Sequence, residues 1–161
     1  MATAFRLRPS DLDEATRKPV VLLVDDDPEV LAALRRVLRD EPYDLATAGS
    51  AAQALASLRG RPAHVVVADE RMPGVNGSEL LADLRDRWPW IGRVILTGYP
   101  GADVTIRGLE VGVDFVLHKP WEPETLKRTL RRLLLEVERS RARAVEETSG
   151  EAGVDADGEG A

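Results

Sequence analysis

The sequence predicts an α/β fold: a doubly wound five-stranded parallel sheet with helices on both faces. Short β-rich runs, several of them apolar at nearly every position, alternate with amphipathic helical patterns, and that is how a parallel sheet covered on both sides reads. A hydrophobic content of 43% over 161 residues is enough for one core of ordinary size.

The elements follow in order. Residues 1–18 are mixed in charge, with Ser10 and Asp13 spaced to cap a short helix ahead of Pro19, and they read as a loosely ordered extension. The expected strands are VVLLV (20–24), YDLAT (43–47), HVVVA (64–68), GRVILT (92–97) and DFVLH (114–118). Between them lie four helical patterns. PEVLAALRRVLRD opens on Pro28, SAAQALASLRG has a Ser start and a Gly stop, SELLADLRDRW follows the third strand, and a weaker pattern spans Ala102 to Glu110.

A fifth helix begins near Glu122, with apolar residues at 126, 130, 133, 134 and 137 forming the stripe that packs on the sheet. The domain thus spans 19–138, the last helix continues through 139–148, and the Gly- and acid-rich residues 149–161 read as a disordered tail. Leu133, Leu134 and Leu135 are consecutive and cannot all face inward, so a partner surface, or a homodimer, through this helix is one expectation. Trp88, Trp90 and Trp121 are expected to pack partly into the core.

Composition excludes several kinds of chemistry. Without cysteine there is no disulfide, thiolate nucleophile or thiolate metal site, and the two isolated histidines, His64 and His118, do not make an imidazole metal cluster. There is no signal-like run and no apolar stretch long enough to cross a bilayer, so a soluble cytoplasmic protein is expected, with no membrane partner. The net charge of -6 comes entirely from six acids after residue 145, where there is no Lys or Arg, and the rest sums to zero. Lys127 to Arg143 is basic but reads as a solvated helix face, and direct DNA binding is not expected.

In an open parallel sheet, ligands bind beyond the carboxyl ends of the strands, where the strand order reverses. Asp25, Asp26 and Asp27 follow the first strand, Asp69 the third, Thr97 ends the fourth, and Lys119 with Pro120 follows the fifth. If Asp25, Asp26 and Asp69 meet within ~4 Å, each pair repels by about 4 kcal/mol at an effective dielectric of 20. Such a cluster needs a cation. Hard oxygen ligands without imidazole or thiolate suit Mg²⁺, and a carboxylate beside Mg²⁺ is able to act as a nucleophile toward a phosphoryl group. A rigid strand fixes Asp69, while the loop bearing Arg71, Pro73, Gly74 and Gly77 leaves it accessible to a phosphodonor.

The segments VLLVDDDP, VVVADERMPGVNG, VILTGY and FVLHKPW resemble, in order and spacing, the signature segments of response-regulator receiver domains over about residues 19–138. The resemblance implies a CheY-like, flavodoxin-like fold in a two-component phosphorelay, and no recognisable output domain follows. It implies that Asp69 is the phosphoacceptor, that Asp26 is a direct Mg²⁺ ligand and Asp25 its water-mediated partner, and that the Arg71 carbonyl is the backbone metal ligand. Thr97 becomes the switch hydroxyl and Lys119 the ionic partner of the phosphoryl group. The donor is a histidine kinase or a histidine phosphotransfer protein, and the result is altered binding to a downstream protein.

The segments look most like those of receivers attached to cyclic-di-GMP phosphodiesterase or transcriptional output modules. One departure stands out: the family's switch aromatic, three residues before the lysine, is here Val116, with Phe115 one residue earlier. Arg71 and Tyr99, the large residues flanking the phosphoryl group, imply slow dephosphorylation. Two other readings remain at this stage. One is a phosphorylation-independent binding module on the same fold. The other is a Mg²⁺-dependent aspartyl phosphohydrolase of haloacid-dehalogenase type built on Asp25 and Asp27, against which stand Glu29 two residues on and the lack of sequence for a cap.

Overall fold

The computed structural model describes residues 17–98, 110 and 112–151, apart from the side chains of Thr148 and Glu151. Five strands, β1 (Val20–Val24), β2 (Asp44–Ala48), β3 (Val65–Asp69), β4 (Gly92–Thr97) and β5 (Phe115–His118), form one sheet in the order β2-β1-β3-β4-β5. All four pairings are parallel, in the register Val21↔Leu45, Val21↔Val65, Val67↔Val94 and Leu96↔Leu117. The order reverses at β1, which pairs with β2 on one side and β3 on the other. The loops after β1 and β3 therefore part at this point and open a crevice above it.

Four helices cover the sheet among the described residues: α1 (Pro28–Leu38), α2 (Ala51–Gly60), α3 (Gly77–Arg87) and α4 (Pro123–Glu151). Strand alternation sends side chains to two cores. Val21, Leu23, Val65, Val67, Val94 and Leu96 meet Leu34 and Leu38 of α1 and Leu126, Leu130, Leu133 and Leu134 of α4. Leu22, Val24, Val66, Ala68 and Ile95 meet Ala54 and Leu58 of α2 and Leu80, Leu81 and Leu84 of α3. The doubly wound sheet is the expected one.

Boundaries shift by a residue or so, each for a local reason. Tyr43 precedes β2 instead of opening it, because its ring is buried against the α1/α4 core. His64 precedes β3, where its ring Nδ1 accepts from the Val20 N–H (3.0 Å) while Asp69 becomes the last strand residue. Asp114 caps the sheet edge, its carboxylate accepting from the Arg93 N–H (2.7 Å), so β5 begins at Phe115. Asn76 caps α3 by accepting from the Glu79 N–H (2.8 Å), which starts that helix at Gly77. The helix expected from Ala102 lies outside the described residues apart from Glu110, as does the extension before Arg17.

The last helix carries the expected stripe, with Leu126, Leu130, Leu133, Leu134 and Val137 all buried and Leu135 53% exposed. On this helix Leu135 is the one large apolar side chain turned outward among the described residues, too little for a broad apolar patch. The basic run is more than a solvated face. Arg131 grips the buried Glu41 carboxylate through two bonds of 2.7 and 2.6 Å, and the Arg141 guanidinium lies 4.5 Å from the centre of the Trp90 ring. All three tryptophans pack partly on the cores, as expected.

The tail was expected to lose order at Ser149, yet the helix runs to Glu151, with the Ser149 hydroxyl donating to the Val145 carbonyl (2.9 Å). Extending a helix already nucleated and docked adds one hydrogen bond per residue fixed, which a poor composition at the end does not prevent. Residues 152–161 lie outside the described residues.

The approach of α4 to the sheet depends on Gly92, where an added Cβ would stand 2.7 Å from Leu133 Cγ. Gly92→Ala is expected to destabilise the fold by about 1–3 kcal/mol through overpacking. Adding Leu133→Ala makes room for the methyl, so urea denaturation should give the double variant a smaller loss than the sum of the two singles.

Candidate phosphoacceptor and metal site

Strand parity assembles the rim. Asp25 continues the alternation Val21, Leu23; Asp69 continues Val65, Val67; Lys119 continues Phe115, Leu117; and all of these strand residues pack on the α1/α4 side. The three polar groups thus leave adjacent or nearby strands toward the same side of the crevice. The Lys119 ammonium lies 2.9 Å from Asp25 Oδ2 and 3.2 Å from Asp69 Oδ1, joining residues 94 and 50 apart in sequence. The Lys119 N–H also donates to the Thr97 carbonyl (2.6 Å), which ties the ends of β4 and β5 together.

The three consecutive aspartates do three different things. Asp25 is buried and its Oδ1 accepts from the Asp27 N–H (2.9 Å). Asp26 is exposed at the mouth. Asp27 caps α1, accepting from the Glu29 N–H (2.9 Å), and so is committed to the helix end instead of forming the second acid of a hydrolase pair with Asp25. Carboxylate oxygens of Asp25, Asp26 and Asp69 lie within 4.8 Å of one another.

Thr97 is buried at the end of β4, one residue beyond the Leu96 that pairs with Asp69. Its alternation places it with Ile95 and Val116, on the α2/α3 side of the sheet, whereas Phe115 faces α4 beneath the Arg132 guanidinium, 5.9 Å from the ring centre. Phe115 cannot stand in for an aromatic at position 116, because one step along a strand reverses the face. Arg71 is exposed in the loop after β3, and Tyr99 lies outside the described residues. His64 is buried as a backbone acceptor and His118 is exposed, so neither joins the acidic cluster.

Burial, joined by the charge of Asp25, raises the Asp69 carboxyl above its ordinary range, against the opposing pull of the Lys119 ammonium and a bond from the Arg71 N–H. Burial lowers the Lys119 ammonium, but its bonds and charge contacts with Asp25 and Asp69 outweigh this and leave it raised. The donor set fits Mg²⁺: hard carboxylate oxygens only, crowded together, with one acid at the mouth and one ammonium placed between the other two. A dication there would offset both the burial and the Asp25 charge that hold Asp69 up.

Sequence reasoning missed two residues that shape this site. Glu70 is buried and its Oε2 accepts from both the Ser78 N–H (3.1 Å) and the Ser78 hydroxyl (2.5 Å). Gly77 passes so close to β3 that a Cβ would stand 2.3 Å from the Asp69 carbonyl oxygen, a contact no side chain tolerates. The glycine and the strand were both visible in the sequence; their close approach was not.

A parallel sheet with an acidic crevice at its switch point and a lysine bridging two of the acids is the arrangement that the receiver resemblance led one to expect. The description "Response regulator receiver domain" matches residues 21–131, and the chain belongs to that family. It is 40% identical over 116 residues to the hydrogenase transcriptional regulatory protein HoxA of Cupriavidus necator, a match covering 71% of this chain and 24% of that protein. To the transcriptional regulatory protein AruR of Pseudomonas aeruginosa it is 37% identical over 131 residues, covering 78% and 53%. The chain thus spans between a quarter and about half of these curated relatives.

Among solved structures, the signal receiver domain of an HD domain-containing protein from Pseudomonas fluorescens Pf-5 superposes with a TM-score of 0.76 at 33% identity, covering 80% of this chain and 95% of that one. A CheY-like receiver domain protein from Methanospirillum hungatei gives 0.72 at 27% identity, covering 76% and 98%. The CheY-like fold expected from the sequence is the one found.

The raised Asp69 carboxyl has a consequence for stability. A carboxyl whose folded pKa exceeds its unfolded value costs stability once pH rises through that interval, since the folded state binds the proton more tightly. In the presence of a chelator at pH 7, Asp69→Asn is therefore expected to raise the Tm. The gain should vanish as pH falls below the ordinary Asp value of 3.8. Thermal denaturation across pH checks this; an Asp69→Asn variant less stable than wild type at pH 7 contradicts it.

Proposed function

We propose that the chain is a phosphoacceptor response regulator of a two-component phosphorelay, in which a histidine kinase or histidine phosphotransfer protein donates a phosphoryl group to Asp69 in the cytoplasm. The observation that carries this reading is the Lys119 ammonium, set between Asp25 and Asp69 within a cluster of three carboxylates. An Asp69 oxygen attacks phosphorus as the bond to the donor imidazole nitrogen breaks, and the imidazole leaves with the electron pair of that bond. Lys119 is positioned to turn from the Asp69 carboxylate to the incoming phosphoryl oxygens, and Asp25 keeps its ammonium at the rim.

Asp25, Asp26, Asp69 and the Arg71 carbonyl are the groups that would hold Mg²⁺, which would supply neutralising charge for the transferring oxygens. Thr97 supplies the hydroxyl that answers the new phosphoryl group. Val116 on the same face has no ring to follow it, so the altered binding of a downstream protein rests on β4, β5 and the helices packed against them. Self-association through α4 is not favoured by its mostly polar outer face. Arg71, two residues after the acceptor, and Tyr99, two residues after Thr97, are large side chains at positions that would oppose an attacking water and favour a slowly decaying phosphoryl state.

Incubation with acetyl phosphate and Mg²⁺ should add one phosphoryl group per chain by mass, with at least a tenfold loss on adding a chelator and none added to Asp69→Asn. Thr97→Ala should still be labelled but lose the accompanying change in hydrodynamic or spectroscopic signature. Labelling that persists in Asp69→Asn, or turnover of many phosphate esters per chain, contradicts the proposal. Rapid loss of label in the purified protein contradicts the slow-decay part alone.

A further inference from the structure

We infer that Glu70 is a positioning residue for the metal-binding loop, an inference that rests on the receiver reading above and goes beyond it. The loop from Glu70 to Asn76 must hold the Arg71 carbonyl toward the acidic cluster while its tip stays open. Its first three residues alternate: Glu70 is buried, Arg71 exposed and Met72 buried in the α2/α3 core. Pro73, Gly74 and Val75 are then exposed, and Gly74 turns the chain at φ 79°. The Arg71 peptide is therefore held from both sides by buried side chains, and the apolar contact of Met72 alone does not fix the rotation of a carbonyl.

Glu70 anchors the peptide just before that carbonyl. Its Oε2 takes two bonds from one residue, Ser78, at the first turn of α3, and its backbone carbonyl accepts from the Gly77 N–H (3.1 Å). Three bonds thus close the loop into a ring between the end of β3 and the start of α3. The ring closes tightly only because Gly77 has no side chain to strike the Asp69 carbonyl. The peptide that follows Glu70 also carries the Arg71 N–H that bonds the Asp69 carboxylate. Glu70 therefore holds the peptide whose Arg71 N–H meets the acceptor, and so fixes the backbone from which the next carbonyl, that of Arg71, would reach the cation. A neutral apolar residue at 70 would leave the Ser78 hydroxyl buried without this partner and free the loop to turn.

The test titrates MgCl₂ into the full chain and reads binding by calorimetry or tryptophan fluorescence, with circular dichroism confirming that each variant is folded. Glu70→Gln keeps an oxygen that can accept both Ser78 bonds but removes the charge; Glu70→Ala removes both. Glu70→Ala should weaken Mg²⁺ binding by about tenfold or more, the usual loss for an outer partner that orients a ligand. Glu70→Gln should restore it to within about threefold. Equal weakening in both variants would mean that Glu70 acts only through its charge, and would overturn the inference.

Unaltered Mg²⁺ affinity in Glu70→Ala, with only a lower Tm, would assign Glu70 a structural role and also overturn it. Should Glu70→Ala fail to fold, Ser78→Ala keeps the charge and removes the hydroxyl bond. It should then weaken Mg²⁺ binding, and wild-type affinity in that variant overturns the inference. Wild-type protein that shows no Mg²⁺ binding at all would overturn the receiver reading beneath it, a result distinct from any difference among the variants.

Discussion

Three carboxylates share one rim with an ammonium that reaches only two of them, and the sheet is built to keep them there. Like charges at such distances repel by several kcal/mol even at an effective dielectric near 20, so nothing local would bring Asp25, Asp26 and Asp69 together. The cohesion comes from below. Asp25 and Asp69 stand at the ends of strands whose other residues are buried, Lys119 follows the half-buried β5, and the packing of those strands fixes where their last side chains emerge. The hydrophobic cores set the geometry that brings the polar cluster together.

The periphery holds that geometry against slippage. Asp27 caps α1 directly behind the acids, and Asp25 is tied to the Asp27 N–H. The Glu70–Ser78 pair and the bare Cα of Gly77 clamp the loop after β3. On the far side, the Glu41–Arg131 pair and the Arg141–Trp90 contact hold α4 along the sheet. An Arg–carboxylate pair with one buried partner costs desolvation as well as giving attraction, so its clearer contribution is to register: it fixes which turn of α4 faces the α1/β2 corner.

The fold was largely legible because two periods are hard to counterfeit. Apolar runs such as VVLLV and VVVA read as fully buried strands, and the Leu126, Leu130, Leu133, Val137 stripe reads as one helix face. The site was legible for a related reason, since its acids, hydroxyl and lysine stand at strand ends, and strand ends can be counted. What sequence could not give were contacts set by tertiary distance. Glu70 and Ser78 carry no motif that pairs them, and Glu41 and Arg131 lie 90 residues apart. Where a strand started one residue off, a side chain at the boundary bonds the neighbouring strand's backbone, as with His64 on the Val20 N–H and Asp114 on the Arg93 N–H.

The central claim is that this rim is electrostatically incomplete without a divalent cation. Thermal denaturation of the wild-type protein in chelator and in saturating MgCl₂ tests it most directly, because a ligand that binds only the folded state stabilises it by mass action. The account predicts a rise in Tm with MgCl₂ that is absent with an equal ionic strength of NaCl and reduced when Asp26 is replaced by Asn. A Tm indifferent to MgCl₂, or one that rises equally with NaCl, would contradict it.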